Sequence, residues 1–235
     1  MQISEIFHSI QGEGMLAGTP SVFIRTSICN LRCWWCDTPY TSWAPELEQM
    51  TVSQIYSRVR HLAANQASPS RHVVITGGEP LLQRHELPDL CAILSADGYH
   101  CTIETNATIF IPLRAQLISM SPKLSNSTPR GKFERSHERY RLRPDVISQY
   151  LELYRPPDAN VQFKFVIDSE NDLIEVERLA QQASIPLENI LLMPQAREQD
   201  ELREKTEWLK TLCQRRGYRL SPRLHIELFG NRRGV

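Results

Sequence analysis

The stretch that decides the fold is Ser21-Val22-Phe23-Ile24-Arg25-Thr26-Ser27-Ile28-Cys29-Asn30-Leu31-Arg32-Cys33-Trp34-Trp35-Cys36. Residues Ser21–Thr26 are mostly apolar or β-branched, as suits a parallel strand covered on both faces. The chain then enters a C-x3-C-x2-C run at Cys29, Cys33 and Cys36. Three thiolates so close cannot share one face of a regular strand, but on a loop they can wrap a small inorganic centre. A structural zinc site normally draws a fourth ligand from a second pair, and the chain has no second C-x2-C. A [4Fe–4S] cubane held by three cysteines leaves one iron without a protein ligand, open to a small molecule. At this point two alternatives stay open: three buried or redox-active thiols, and a zinc knuckle completed by a histidine such as His8.

The strand–loop pattern repeats along the chain. Further strands are expected at His72–Thr76, Cys101–Thr105, Gln116–Met120, Val161–Ile167 and Asn189–Met193. Helical patterns fall between them. Thr51 and Gln54 form a capping box ahead of Val52, Ile55, Val59, Leu62 and Ala63. Leu87, Leu90, Cys91 and Leu94 repeat the spacing, with Gly98 as the stop. Val146, Ile147, Tyr150 and Leu151 make a third helix. Ser169 is positioned to cap a fourth, carrying Leu173, Val176, Leu179 and Ala180. Leu202, Trp208, Leu209, Leu212 and Cys213 mark a fifth, ended by Gly217. Such alternation predicts an α/β fold built of parallel β/α units. Six core strands are too few for a closed eight-stranded barrel, so a partial, open parallel β/α barrel is expected, as one domain over 1–235. The polar segment Ser121–Arg143, with Pro122, Pro129 and Gly131, reads as a surface loop, an insert at about 123–143.

Composition narrows the function classes. With 27 Lys+Arg against 27 Asp+Glu, the chain lacks the global basic field of a non-specific nucleic-acid binder. No apolar run approaches the roughly 18 residues of a membrane span. The start Met1-Gln2-Ile3-Ser4-Glu5 lacks the basic-then-apolar plan of a signal peptide. A cytoplasmic protein is expected, binding neither nucleic acid nor membrane. The scattered Cys91, Cys101 and Cys213 lie on apolar faces and read as core, and the seven histidines show no metal-ligand spacing.

The polar motifs gather at expected strand ends. The cysteine loop follows the first core strand and Thr76-Gly77-Gly78-Glu79-Pro80 the second. Glu104-Thr105-Asn106 ends the third, Ser121-Pro122-Lys123 follows the fourth and Pro194-Gln195 the sixth. Active sites of parallel β/α barrels collect at this C-terminal edge.

The C-x3-C-x2-C run together with Gly77-Gly78-Glu79-Pro80 resembles the radical S-adenosylmethionine (SAM) superfamily. The resemblance implies that the open iron binds SAM and that a reduced cluster cleaves its sulfonium to a 5′-deoxyadenosyl radical. Ile6-Phe7-His8-Ser9-Ile10-Gln11-Gly12-Glu13-Gly14, Phe23-Ile24-Arg25 and Cys36-Asp37-Thr38-Pro39-Tyr40 narrow it further. Together they closely resemble the 7-carboxy-7-deazaguanine synthases of queuosine and 7-deazapurine biosynthesis. The likeness covers most of the chain and is strongest over 3–43 and 72–82. Arg223-Leu224-His225-Ile226-Glu227-Leu228-Phe229-Gly230 is similar to a subgroup of that family.

That resemblance implies a homodimer converting 6-carboxy-5,6,7,8-tetrahydropterin to 7-carboxy-7-deazaguanine with loss of ammonia, SAM acting as a regenerated cofactor. Carried over, Cys29, Cys33 and Cys36 hold the cluster. Asp37, Gly78, Ser121, Pro122 and Lys123 contact SAM. Ile10, Gln11, Gly12, Arg25 and Thr76 meet the pterin substrate, Arg25 at its carboxylate. Thr38 is a Mg2+ ligand. Trp34 and Trp35 are expected to pack around the cubane. Arg130, Lys132, Arg135, Arg139, Arg141 and Arg143 read as a solvated basic loop or as a docking patch for an acidic electron donor such as a flavodoxin. Two other classes stay in view: a radical SAM activase acting on a partner protein, and a zinc-binding interaction module.

Overall fold

The protein is described here by a computed structural model that covers residues 1–65, 69–157 and 159–234. Its strands are β1 (Gln2–Ile10), β2 (Pro20–Thr26), β3 (Glu48–Gln49), β4 (His72–Gly77), β5 (His100–Thr105), β6 (Leu117–Met120), β7 (Asn160–Ile167), β8 (Ile190–Pro194) and β9 (Arg219–Leu220). They form one sheet in the order β3-β1-β2-β4-β5-β6-β7-β8-β9. From β2 to β9 every neighbouring pair is parallel, and β1 joins antiparallel to both β2 and β3. The sheet is open, ending at β3 and β9, as expected of a partial barrel. All six core strands expected from the sequence are present, with ends shifted by a residue at most positions.

The helices are α1 (Pro39–Ser42), α2 (Val52–Ala64), α3 (Leu87–Ala96), α4 (Glu134–Tyr140), α5 (Pro144–Leu153), α6 (Asp172–Ala183), α7 (Gln199–Arg216) and α8 (Leu224–Phe229). No helix among the described residues is long and apolar enough to cross a membrane. The capping box on α2 is made as expected, with Thr51 accepting from the Gln54 backbone and Gln54 answering. Gly217 caps α7 at φ 75, the left-handed conformation that glycine adopts without a Cβ penalty.

Each parallel strand shows the period-2 logic of a barrel wall. One set of residues, including Val73, Ile75, Cys101, Ile103, Phe163 and Phe165, is buried in the main core under the helices. Leu90 and Cys91 of α3, Val146 and Ile147 of α5, and Leu212 and Cys213 of α7 meet them there. The alternate residues face the other way, and among them are the polar Arg25, Thr76, Glu104, Ser119, Gln162 and Lys164 beside the apolar Phe23, Val166 and Met193. In register, Arg25 lies beside Thr76, Glu104 beside Ser119 and Ser119 beside Gln162. A polar row therefore crosses the concave face of the sheet.

Three expectations need correction. Asn171, not Ser169, precedes α6, because Asp172 reaches back to accept from the Asp168 and Ser169 amides and so supplies the capping carboxylate from inside the helix. The segment expected to be a polar surface loop holds α4 and buries Leu124, Ser127, His137 and Arg141. Its packing is polar: Ser127 Oγ meets His137 Nε2 at 2.9 Å, and His137 Nδ1 accepts from the Arg32 amide at 3.2 Å. Burial lowers His137 to about 4, so the ring is neutral, and accepting at Nδ1 leaves Nε2 as the donor to Ser127. Finally, Trp35 is buried beside Cys33, Val166 and Met193, but Trp34 is 54% exposed and does not pack inward.

Candidate active site

The cysteine loop leaves β2 through a strained turn. Ile28 has φ 77, a conformation that costs a β-branched residue about 1–3 kcal/mol. The Ile28 carbonyl is held by the Glu79 amide at 2.9 Å, and the Thr26 carbonyl by the Gly78 amide at 3.1 Å. A Cβ on Gly78 would fall 2.2 Å from the Ile28 oxygen, and one on Gly77 2.1 Å from the Thr26 oxygen. The two glycines are thus required by the chain's own close approach. Glu79, fully buried, accepts from the Leu81 and Asn106 amides and from Thr105 Oγ1. It locks the Gly77-Gly78 turn to the end of β5, although burial raises its carboxyl to about 7.

Cys29, Cys33 and Cys36 line one cavity of about 450 Å³ at the C-terminal edge of the sheet. Cys29 Sγ accepts from the Leu31 amide at 3.4 Å and from Asn106 Nδ2 at 3.9 Å. Cys36 Sγ accepts from Ser42 Oγ at 3.4 Å. Hydrogen bonds to sulfur of this kind tune iron–sulfur clusters, and three thiols on one cavity, two of them with such donors, fit a cubane with one open iron. Burial raises the Cys29 thiol to about 12 and Cys33 to about 11, protons that metal binding must displace.

Around the thiols stand the residues singled out from sequence. Ile10, Gln11, Gly12, Arg25, Asp37, Thr38, Thr76, Gly78, Ser121 and Lys123 all line the same cavity. Pro122 is buried but is not part of the lining. Lys123 Nζ donates to Ser121 Oγ at 2.6 Å and lies 5.9 Å from the Trp35 ring centre. Thr38 Oγ1 is 3.2 Å from Thr41 Oγ1 and caps no helix amide. Arg25 is engaged by the chain itself, its Nε donating to Glu5 at 2.6 Å, while Tyr40 and Arg233 share the same carboxylate. Arg25 therefore meets any carboxylate ligand as a partly neutralised cation.

The sequence reading missed a buried relay of charge. Lys164, 3% exposed, binds Glu13 at 2.7 Å and Glu104 at 2.9 Å. Glu104 also accepts from Thr76 Oγ1 at 2.9 Å and from Gln11 Nε2 at 3.2 Å. Glu13 reaches Arg223 at 3.5 Å, and Arg223 donates to Asp37 at 2.5 Å. Burial opposes charge on Glu104, but Lys164 prevails and holds its carboxyl below the ordinary range. His225 lies 3.9 Å from Glu13, and burial lowers its pKa from the ordinary imidazole value. A signal was present in β7, where Gln162 and Lys164 alternate with Val161, Phe163 and Phe165. A lysine in such a strand needs a buried partner.

Comparison with known proteins agrees with this geometry. Residues 23–121 match the family described as the Radical SAM superfamily. A 7-carboxy-7-deazaguanine synthase of Rhodopirellula baltica is 42% identical over 99% of this chain and 88% of its own length. One from Halobacterium salinarum is 39% identical over 98% of this chain and 91% of its own. The crystal structure of QueE from Escherichia coli superposes with a TM-score of 0.65 at 28% identity, covering 94% of this chain and 92% of that one. Fold, cysteine loop and Gly-Gly-Glu-Pro turn define a radical SAM enzyme, with the [4Fe–4S] cluster and SAM that this class carries. Within that class the chain belongs to the 7-carboxy-7-deazaguanine synthase family.

Proposed function

We infer that this chain converts 6-carboxy-5,6,7,8-tetrahydropterin to 7-carboxy-7-deazaguanine with loss of ammonia, in queuosine and 7-deazapurine biosynthesis. The observation that carries the reading is one cavity shared by the three cysteines and by Ile10, Gln11, Gly12, Arg25 and Thr76. The reduced cluster with SAM supplies the radical chemistry; the protein supplies placement and exclusion of side reactions. Cys29, Cys33 and Cys36 hold the cluster. Asp37, Gly78, Ser121 and Lys123 orient SAM, and Pro122 acts from behind that wall. Glu104 and Gln11 offer an acceptor and an amide to the N–H edge of the pterin, and Arg25 receives its carboxylate. Thr38 offers Mg2+ one oxygen, the remainder coming from substrate and water, as that ion prefers.

The working enzyme is a cytoplasmic homodimer that takes electrons from an acidic protein such as a flavodoxin and has no nucleic-acid partner. Support for the donor comes from the surface over the cluster loop. Arg141 is spent on Glu138 and Glu175, and Arg143 on Asp145, so both leave the patch expected from sequence. Arg130, Lys132, Arg135 and Arg139 stay exposed, and Lys132 and Arg32 lie 5.5 Å from the Phe133 ring centre. Trp43, edge-on to Phe133, donates to the Cys33 carbonyl at 2.9 Å. That arrangement favours an acidic partner.

The test is SAM cleavage by reconstituted, reduced protein with and without the carboxytetrahydropterin. Because SAM is returned after each productive cycle, 7-carboxy-7-deazaguanine should form in excess of the deoxyadenosine released once the pterin is added. Deoxyadenosine formation indifferent to the pterin but stimulated by a protein substrate would instead indicate an activase.

A further inference from the structure

The residues 221–225 close on the loop 12–14 from several sides. The Leu224 amide donates to the Gly12 carbonyl at 3.0 Å, and the Gly14 amide to Ser221 Oγ at 2.9 Å. A Cβ on Gly12 would lie 2.2 Å from His225 Nδ1 and 3.1 Å from the His225 amide nitrogen, so the His225 ring packs directly on the Gly12 backbone. At the centre stands Arg223, 3% exposed. Its guanidinium binds Asp37, one residue beyond the last cluster cysteine, and the Ala196 carbonyl, and it approaches Glu13 on the loop. Arg223 thus joins the wall that carries the cysteines to the loop that carries Gln11 and Gly12.

We propose that Arg223 is a positioning residue: it fixes the loop 11–14 against the cluster loop, and so sets where substrate lies relative to the cofactor. Its planar fork makes the role specific. A guanidinium can address two carboxylates and a carbonyl from one rigid plane, whereas an ammonium is a single point of charge on a flexible stem. Asp37 accepts from Nη2 and the Ala196 carbonyl from Nη1, while Glu13 faces Nε in a longer ion pair at 3.5 Å. Glu13 in turn passes the constraint to Lys164 and Glu104 on the floor of the cavity. The inference rests on the substrate placement proposed above.

Arg223→Lys tests it, with Glu13→Gln as the second variant, which weakens the same bridge from its other end, and the Glu13–Lys164 pair with it, while keeping a hydrogen-bonding side chain. Two quantities are read on the reconstituted protein: amide hydrogen exchange over 11–16, and KM for the carboxytetrahydropterin against kcat. The exchange reading does not depend on the functional assignment. We expect exchange over 11–16 to rise about tenfold in both variants, the sheet amides being unchanged, as local opening without global unfolding requires. We expect KM to rise about tenfold or more in Arg223→Lys, with kcat falling less. Wild-type exchange in folded Arg223→Lys, or in Glu13→Gln should the former not fold, overturns the proposal. Faster exchange with unchanged KM also overturns the positioning role, and it locates the fault in the placement of substrate on this loop.

Discussion

Removing the amine at the centre of the buried charge relay should expose its cost as a function of pH. In Lys164→Met the chain keeps the length and apolar stem of the side chain and loses the charge with its two hydrogen bonds, to Glu13 and Glu104. Glu13 retains Arg223 at 3.5 Å, but Glu104 is left with the neutral donors Thr76 and Gln11. Breaking a buried pair from one side costs about 3–5 kcal/mol. Glu13 and Glu104 keep 16% and 20% of their side chains exposed, so the lower figure, about 3 kcal/mol, applies at neutral pH. For a chain of this size that is a loss of about 6–12 °C in melting temperature. The sign with pH follows from Glu104. In the wild type its carboxyl is held below the ordinary range, so its stabilisation is present above the unfolded value and is lost as acid reaches the folded one. In the variant, burial without a cation raises the same group, so its penalty grows as pH rises and shrinks as pH falls. Thermal melts of the reconstituted proteins at pH 8 and pH 5.5 should show the gap between wild type and variant narrowing in acid. Adding Glu104→Gln to Lys164→Met should recover part of the loss at pH 8. A gap of equal size at both pH values, or no gap, would refute the relay as the seat of this stability.

Three further outcomes are expected. Cys33→Ala should lose the cubane and all turnover, because three thiolates are already its minimum ligation, while Cys91→Ala, in the main core, should retain full iron and lose only stability; iron and sulfide analysis with melting curves separates the two. Thr38→Ala should keep cluster and SAM cleavage but lose most activation by magnesium in a full titration, and Thr38→Ser should retain much of it; wild-type activation in Thr38→Ala would remove the threonine from the metal site. Reversing Lys132, Arg135 and Arg139 to glutamate should slow reduction by a flavodoxin and flatten its salt dependence, leaving dithionite-driven turnover unchanged; equal rates with the protein donor would exclude that surface.

What the sequence disclosed and what it withheld divide along physical lines. The six core strands were legible because burial on both faces leaves short apolar runs, and the cysteine loop was legible because its chemistry demands local spacing. β1 was not, since most of its residues are only partly buried and Ser4, Glu5, His8 and Ser9 blur any alternation. α4 was missed because Glu134–Tyr140 has no apolar stripe; its one buried residue is His137, held by hydrogen bonds that leave no periodicity. Lys164, Glu104 and Arg223 meet only through the fold. Glu13 and Arg223 stand 210 positions apart, and neither neighbourhood alone announces an ion pair.

The measurement that tests the account most directly is product analysis after anaerobic incubation of reconstituted protein with 6-carboxy-5,6,7,8-tetrahydropterin, SAM, magnesium and a reductant. The account predicts 7-carboxy-7-deazaguanine and ammonia in equal amounts, abolished in Cys33→Ala. A protein with a full complement of iron and sulfide that cleaves SAM under these conditions yet leaves the pterin unchanged would contradict it.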